Sequence, residues 1–195
     1  VDARSLEQRR APGVHSGRSS VPWQLVRLDP AVPQAPQVAA LLERYRADVD
    51  RLNALPQDGR PCQAVRVGQP TLIGAERCRE CHPAASAAWS DSAHARALES
   101  LRRAGRALDQ DCARCHLTGL YAPGGACALG SPAGREGVQC EACHGPGSAH
   151  AETPGRRLLG VDEQTCRWCH TPDHAPGFSY PRDRARIVVP GHGAR

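Results

Sequence analysis

Apolar residues along this chain form one long helical period and then a series of short, interrupted clusters. Val38, Leu41, Leu42, Tyr45, Val49, Leu52 and Leu55 recur every three or four residues, which draws one stripe along a helix. Pro36 suits the first turn of that helix and Pro56 closes it. Packing of the stripe on the rest of the chain and contact with another subunit are both open. Upstream, Arg9 to Pro36 reads as an extended arm, broken by Pro12, Gly13, Gly17, Pro22, Pro30 and Pro33. Downstream, Ser92 to Leu108 predicts a second helix with Ser92 as its N-cap. Connections such as Ala122-Pro123-Gly124-Gly125 turn the chain between clusters. The only short β-like run is Arg186-Ile187-Val188-Val189. The pattern predicts a mainly α fold with abundant coil.

Composition makes that fold hard to stabilise alone. The 195 residues contain one Phe, three Trp, three Tyr and no Met, against 19 Gly and 17 Pro. The apolar fraction of 40% falls below the roughly 45–50% usual for globular chains. Such a core needs apolar volume from elsewhere.

One pentapeptide, present four times, supplies a source. Cys78-Arg79-Glu80-Cys81-His82, Cys112-Ala113-Arg114-Cys115-His116, Cys140-Glu141-Ala142-Cys143-His144 and Cys166-Arg167-Trp168-Cys169-His170 all read Cys-x-x-Cys-His. This is the attachment signature of haem c, whose vinyl groups take the two thiols and whose iron takes the following histidine. Zinc pairs and thioredoxin-like redox pairs also use Cys-x-x-Cys. Neither needs a histidine directly after the second cysteine in every copy. The motif histidines are 34, 28 and 26 residues apart, too irregular for a solenoid. Four covalent haems are predicted, with proximal ligands His82, His116, His144 and His170, and an apo chain that is largely unfolded.

With no Met, the sixth ligand of each iron is His, another donor or an open position, which points to bis-histidine haems of low potential. All 25 basic residues are Arg and the formal charge is +5. Arg pairs bidentately with carboxylates, so haem propionates account for much of this excess. No Arg tract with interleaved aromatics suggests a nucleic-acid footprint. No run approaches the roughly 20 apolar residues that span a bilayer. The opening Val1-Asp2-Ala3-Arg4 contains no signal h-region. Since haem joins Cys-x-x-Cys-His outside the cytoplasm, the expectation is the mature form of an exported, periplasmic or extracellular protein. The organisation expected is a haem-free arm and helix over residues 1–60 and a tetrahaem domain over 61–195.

The flanks of the motifs resemble the cytochrome c554 family. The first motif continues through Pro83 to Trp89-Ser90-Asp91-Ser92-Ala93-His94-Ala95-Arg96-Ala97-Leu98, similar to that family's Trp, Ser/Thr-Ala-His and Ala-rich helix. Asp111 to Gly119 resembles its second motif, followed by a Gly turn. The third, Gly137-Val138-Gln139 to Gly145-Pro146-Gly147, is the most specific match. The fourth and its tail, Phe178, Tyr180, Ile187 and His192-Gly193, match more loosely. The resemblance covers roughly residues 76–195. It implies a multihaem cytochrome c fold organised around stacked haems. Related subunits include soluble periplasmic carriers and tetrahaem chains that polymerise into extracellular filaments.

The resemblance also implies distal ligands: His94 for the third haem, His150 for the first and His192 for the fourth. The second haem, on His116, is five-coordinate in that pattern. Here His174, His15 in the arm, or an open position are the alternatives. Cys62 and Cys127 lie outside the motifs, and in an exported chain they pair most simply as a disulfide.

Two functions compete. The first is electron transfer, as a soluble carrier or as a subunit of a conducting homopolymer joined through the arm, with redox proteins as partners. The second is an enzyme acting on small nitrogen oxides at an open second haem. Near His116 only Thr118 and Tyr121 offer themselves as distal donors. Electron transfer is the expectation, with no catalytic residues.

Overall fold

The structure, a computed structural model, describes residues 32–54, 64–130 and 132–188. The chain divides after Arg44 into two units, Val1–Arg44 and Tyr45–Arg195. Among the described residues all regular structure is helical, as expected. In chain order the helices are α1 (Pro36–Ala54), α2 (Ala75–Arg79), α3 (Pro83–Ser90), α4 (Ala97–Arg103), α5 (Gln110–His116), α6 (Cys140–His144), α7 (Ser148–Glu152), α8 (Glu163–Arg167) and α9 (Tyr180–Arg184). The β contribution among them is one isolated antiparallel bridge between Leu117 and Glu136.

Helix α1 starts at Pro36, where a missing N–H costs nothing, and runs to Ala54 as the apolar period requires. Of its stripe, Val38, Leu41, Leu42, Tyr45 and Leu52 are each 46–64% exposed and Val49 is half-buried. At its last turn Asn53 donates to the Leu108 carbonyl at 2.7 Å and accepts from Gln110 at 3.4 Å.

The predicted helix from Ser92 to Leu108 is shorter. Only Ala97–Arg103 is α-helical, and residues 91–96 form turns. Ser92 does not cap the helix. Its hydroxyl donates to the Trp89 carbonyl at 2.6 Å and accepts from Ala95 N–H at 3.3 Å. The turns leave the His94 carbonyl free to accept from Val138 N–H at 2.9 Å, which ties the first motif's tail to the third motif. Gly105, at φ +63, ends α4. The expected β-like run is also different. Ile187 and Val188 both bond back to the Arg184 carbonyl in a turn, and Val189 lies outside the described residues.

Apolar burial is local. Leu98 and Leu101 of α4 pack with Ala113, Leu117, Ala126 and Leu129. The loop that closes this cluster needs glycine: a Cβ on Gly125 would lie 1.9 Å from the Gly119 carbonyl oxygen. A polar knot holds the motif-bearing segments. Thr118 is wholly buried; its hydroxyl donates to the Gly137 carbonyl at 2.8 Å and accepts from Gln139 N–H at 2.9 Å. The Gln139 side chain accepts from Ala75 N–H at 2.9 Å and donates to the carbonyls of Gly134 and Glu136. The buried Glu141 carboxylate accepts from the N–H groups of Ile73, Gly74 and Gly147 at 2.7–3.0 Å.

Removing Glu141 leaves the buried N–H groups of Gly74 and Gly147 and the part-buried one of Ile73 without an acceptor, and each loss of a buried partner costs on the order of 1–3 kcal/mol. Glu141→Ala is therefore expected to lower stability by at least about 2 kcal/mol. Chemical denaturation of the mature protein followed by circular dichroism checks this.

Candidate haem-binding site

Each motif folds as one helical turn. In the first, the N–H groups of Cys81 and His82 return to the Cys78 carbonyl at 3.2 and 2.9 Å. In the fourth, Cys169 and His170 return to Cys166 at 3.2 and 2.9 Å. A 3.6-residue turn puts residues four apart on one face, so first thiol and histidine point the same way. Helix α5 ends on His116, and α6 is the third motif itself. The capping box of Asp162 and Thr165 starts α8 just ahead of Cys166.

The eight motif thiols are all free. Cys127 is disulfide-bonded; Cys62, its expected partner, lies outside the described residues.

Thiols of different motifs adjoin. A hydrogen bond shared with Cys140 raises the Cys78 thiol and lowers that of Cys140 to about 7. Burial, reinforced by Cys166, pushes Cys143 up. Burial and the neighbouring Cys115 push Cys169 up to about 12. The motifs are therefore ordered in space as first, third, fourth and second.

The histidines meet across this framework. The rings of His82 and His150 stand 6.2 Å apart at an interplanar angle of 22°. Those of His94 and His170 stand 6.1 Å apart at 56°. A metal about 2 Å from one nitrogen of each ring separates two ring centroids by about 6 Å. Both separations would suit two imidazoles held by a single metal. The Nδ1 of His150 donates to the Arg156 carbonyl at 2.7 Å, which leaves Nε2 for the metal. His116 is held likewise, with Nδ1 2.7 Å from the Ala97 carbonyl, and His144 more loosely, 3.4 Å from that of Leu159.

Beside the second pair lies a cavity of about 510 Å³, lined by His94, Cys166, His170, Phe178 and Arg184 among others. That is the size and character of a cofactor slot, with a motif thiol, two imidazoles and a guanidinium suited to a carboxylate. Burial, and secondarily the neighbouring His170, holds His94 below the ordinary histidine range, which favours the neutral form that can ligate. Among the described residues no three His, Cys, Asp or Glu side chains converge as a zinc shell would require. The donors come as imidazole pairs beside thiols, and that set fits haem c.

Residues 77–145 match the family model described as cytochrome c554 and c-prime. Over this segment the chain is similar to the cytochrome c554 family. Cytochrome c-554 of Nitrosomonas europaea is 35% identical over 89 residues, a stretch covering 38% of this chain and 38% of that relative. A solved structure of the reduced state of cytochrome c554 from Nitrosomonas europaea aligns with 60% of this chain and 82% of its own, at 24% identity and a TM-score of 0.47. The matched segment takes in the first three motifs; the fourth lies beyond it.

Some expectations change. His94 faces His170 of the fourth motif, where the third motif's haem was expected. His174 faces none of the imidazoles among the described residues; its Nδ1 lies 3.0 Å from the Thr171 hydroxyl. His116 has no imidazole opposite it among them, and His15 and His192 lie outside them. Thr118 is no distal donor, since its hydroxyl is spent within the polar knot. Two residues carried no role in the sequence reading: Phe178, named only in the loosely matching tail and here stacked on His170, and Glu141, whose carboxylate sits inside the third motif. A glutamate between two motif cysteines was the signal for the latter.

If His150 caps the iron on His82, His150→Ala opens one coordination position. Titration of the reduced protein with carbon monoxide is expected to show one more equivalent bound per chain than the parent, at unchanged haem content.

Proposed function

We propose that the chain is an exported electron-transfer protein carrying four covalent haem c groups. Two imidazole pairs at metal-bridging separation, each containing one motif histidine, support this most directly. Haem supplies reversible one-electron chemistry, and the chain's part is to hold and tune it. The motif thiols anchor each group in the order first, third, fourth, second. The histidines fix the axial positions, with His150 serving the first motif and His94 the fourth. His192 or His15 would serve an iron left without a partner, and Cys62 would complete the disulfide of Cys127. Arg184 beside the cavity suits a propionate. Among the described residues no helix is long and apolar enough to cross a membrane, and redox proteins would be the partners.

Residues 1–60 would act as an arm that docks on the next subunit of a homopolymer. The apolar residues of α1, which include Tyr45 and Leu52 at 64% and 54% exposed, would supply the docking face. A contact between unlike surfaces that does not close into a ring gives an open filament. The second reading, an enzyme acting on small nitrogen oxides at the second haem, draws on the absence of an imidazole opposite His116 among the described residues. The parent's carbon monoxide stoichiometry separates the two: an iron capped by His15 or His192 takes none.

Mass spectrometry of the mature protein is expected to give the chain plus four haem masses; a smaller number removes the tetrahaem assignment. Deletion of residues 1–36 is expected to convert assemblies seen by light scattering and negative-stain microscopy into single subunits. A parent already monodisperse near 21 kDa plus haems, and unchanged by the deletion, leaves the soluble carrier.

A further inference from the structure

The two imidazole pairs differ in one respect that the motifs do not explain. His82 and His150 are nearly parallel at 22°, whereas His94 and His170 are turned to 56°. An imidazole is free to swing about its metal–nitrogen bond unless something holds the ring. For His116, His144 and His150 that restraint is a carbonyl near Nδ1. The ring of His170 has no hydrogen bond to the protein among the described residues. Instead the Phe178 ring lies face to face with it, centroids 4.6 Å apart and planes within 16°. Close parallel packing resists rotation, because turning the imidazole drives its edge into the phenyl face.

The phenyl is itself held. The Arg167 guanidinium carbon lies 4.8 Å from its centroid, within cation–π range. Arg167 is anchored in turn by Glu163, one turn earlier on α8, through contacts of 3.1 and 3.2 Å to the same carboxylate oxygen. Phe178 is the only Phe in the chain, and it lines the cavity that His94, Cys166 and His170 share.

We infer that Phe178, braced by Arg167 and Glu163, is a positioning residue that sets the angle of the fourth-motif imidazole against His94. It rests on the tetrahaem reading above. The angle between axial imidazole planes controls how the iron d orbitals split, and so the electron paramagnetic resonance of the oxidised haem. It also shifts the reduction potential. The fourth haem is thereby made distinct from the first without a change of ligand.

The test is electron paramagnetic resonance and redox titration of the fully oxidised, mature protein, with haem content measured first. His94→Met marks the fourth-haem signal by removing it. In Phe178→Leu that signal is expected to move, with a shift in its potential, while the His82–His150 signal stays in place as an internal reference. Phe178→Tyr retains the aromatic face and restores the parent spectrum. A Phe178→Leu protein with full haem content and an unmoved fourth-haem signal overturns the inference. Should Phe178→Leu fail to mature, Arg167→Gln decides: a freed phenyl shifts or broadens the same signal, and a parent-like signal overturns the inference. Incomplete haem content in the parent would instead remove the tetrahaem reading, so the two failures are distinguishable.

Discussion

A carboxylate taken out of water holds the motif framework together. Burying a charge is costly unless hydrogen bonds replace its hydration. Glu141 meets that condition with the N–H groups of Ile73, Gly74 and Gly147. Those donors belong to the approach to the first motif and the exit from the third. The same bonds that keep the charge tolerable therefore hold α2 against α6 and bring Cys78 beside Cys140. Gln139 and Thr118 extend the knot to the loop after the second motif.

This polar arrangement makes sense in a chain with so little to bury. Among the described residues the apolar core is a few leucines and alanines around α4 and α5. The helices that carry the motifs are mostly one turn long, and helices so short do not persist on their own. Caps, glycine turns and side-chain bonds to backbone position the thiols and imidazoles. Covalent cofactors would then supply the apolar volume that the side chains lack.

The imidazole pairs show how such a frame differentiates sites made from identical motifs. Each pair takes one histidine from a motif and one from elsewhere. The surroundings differ: a carbonyl near Nδ1 orients His150, and a phenyl face packs on His170. Ring orientation and local charge are levers on a haem that leave the ligand set untouched.

Much of the chemistry was legible in the chain itself. Cys-x-x-Cys-His is a local signal, since one helical turn brings both thiols and the histidine to one place whatever surrounds it. The period of α1 was legible for the same reason, its spacing being a property of the helix. His94 and His150 could be singled out, but the partner of His94 could not. Its ring meets His170, 76 residues away, and its carbonyl meets Val138, 44 residues away, and contacts so distant in the chain leave no periodic trace. The bond to Val138 lies within the turns that replace the start of the helix predicted from Ser92. The stacking of Phe178 on His170, the burial of Glu141 and the spatial order of the motifs were likewise decided only by tertiary structure. Each is a meeting of side chains and backbone brought together by packing rather than by sequence spacing.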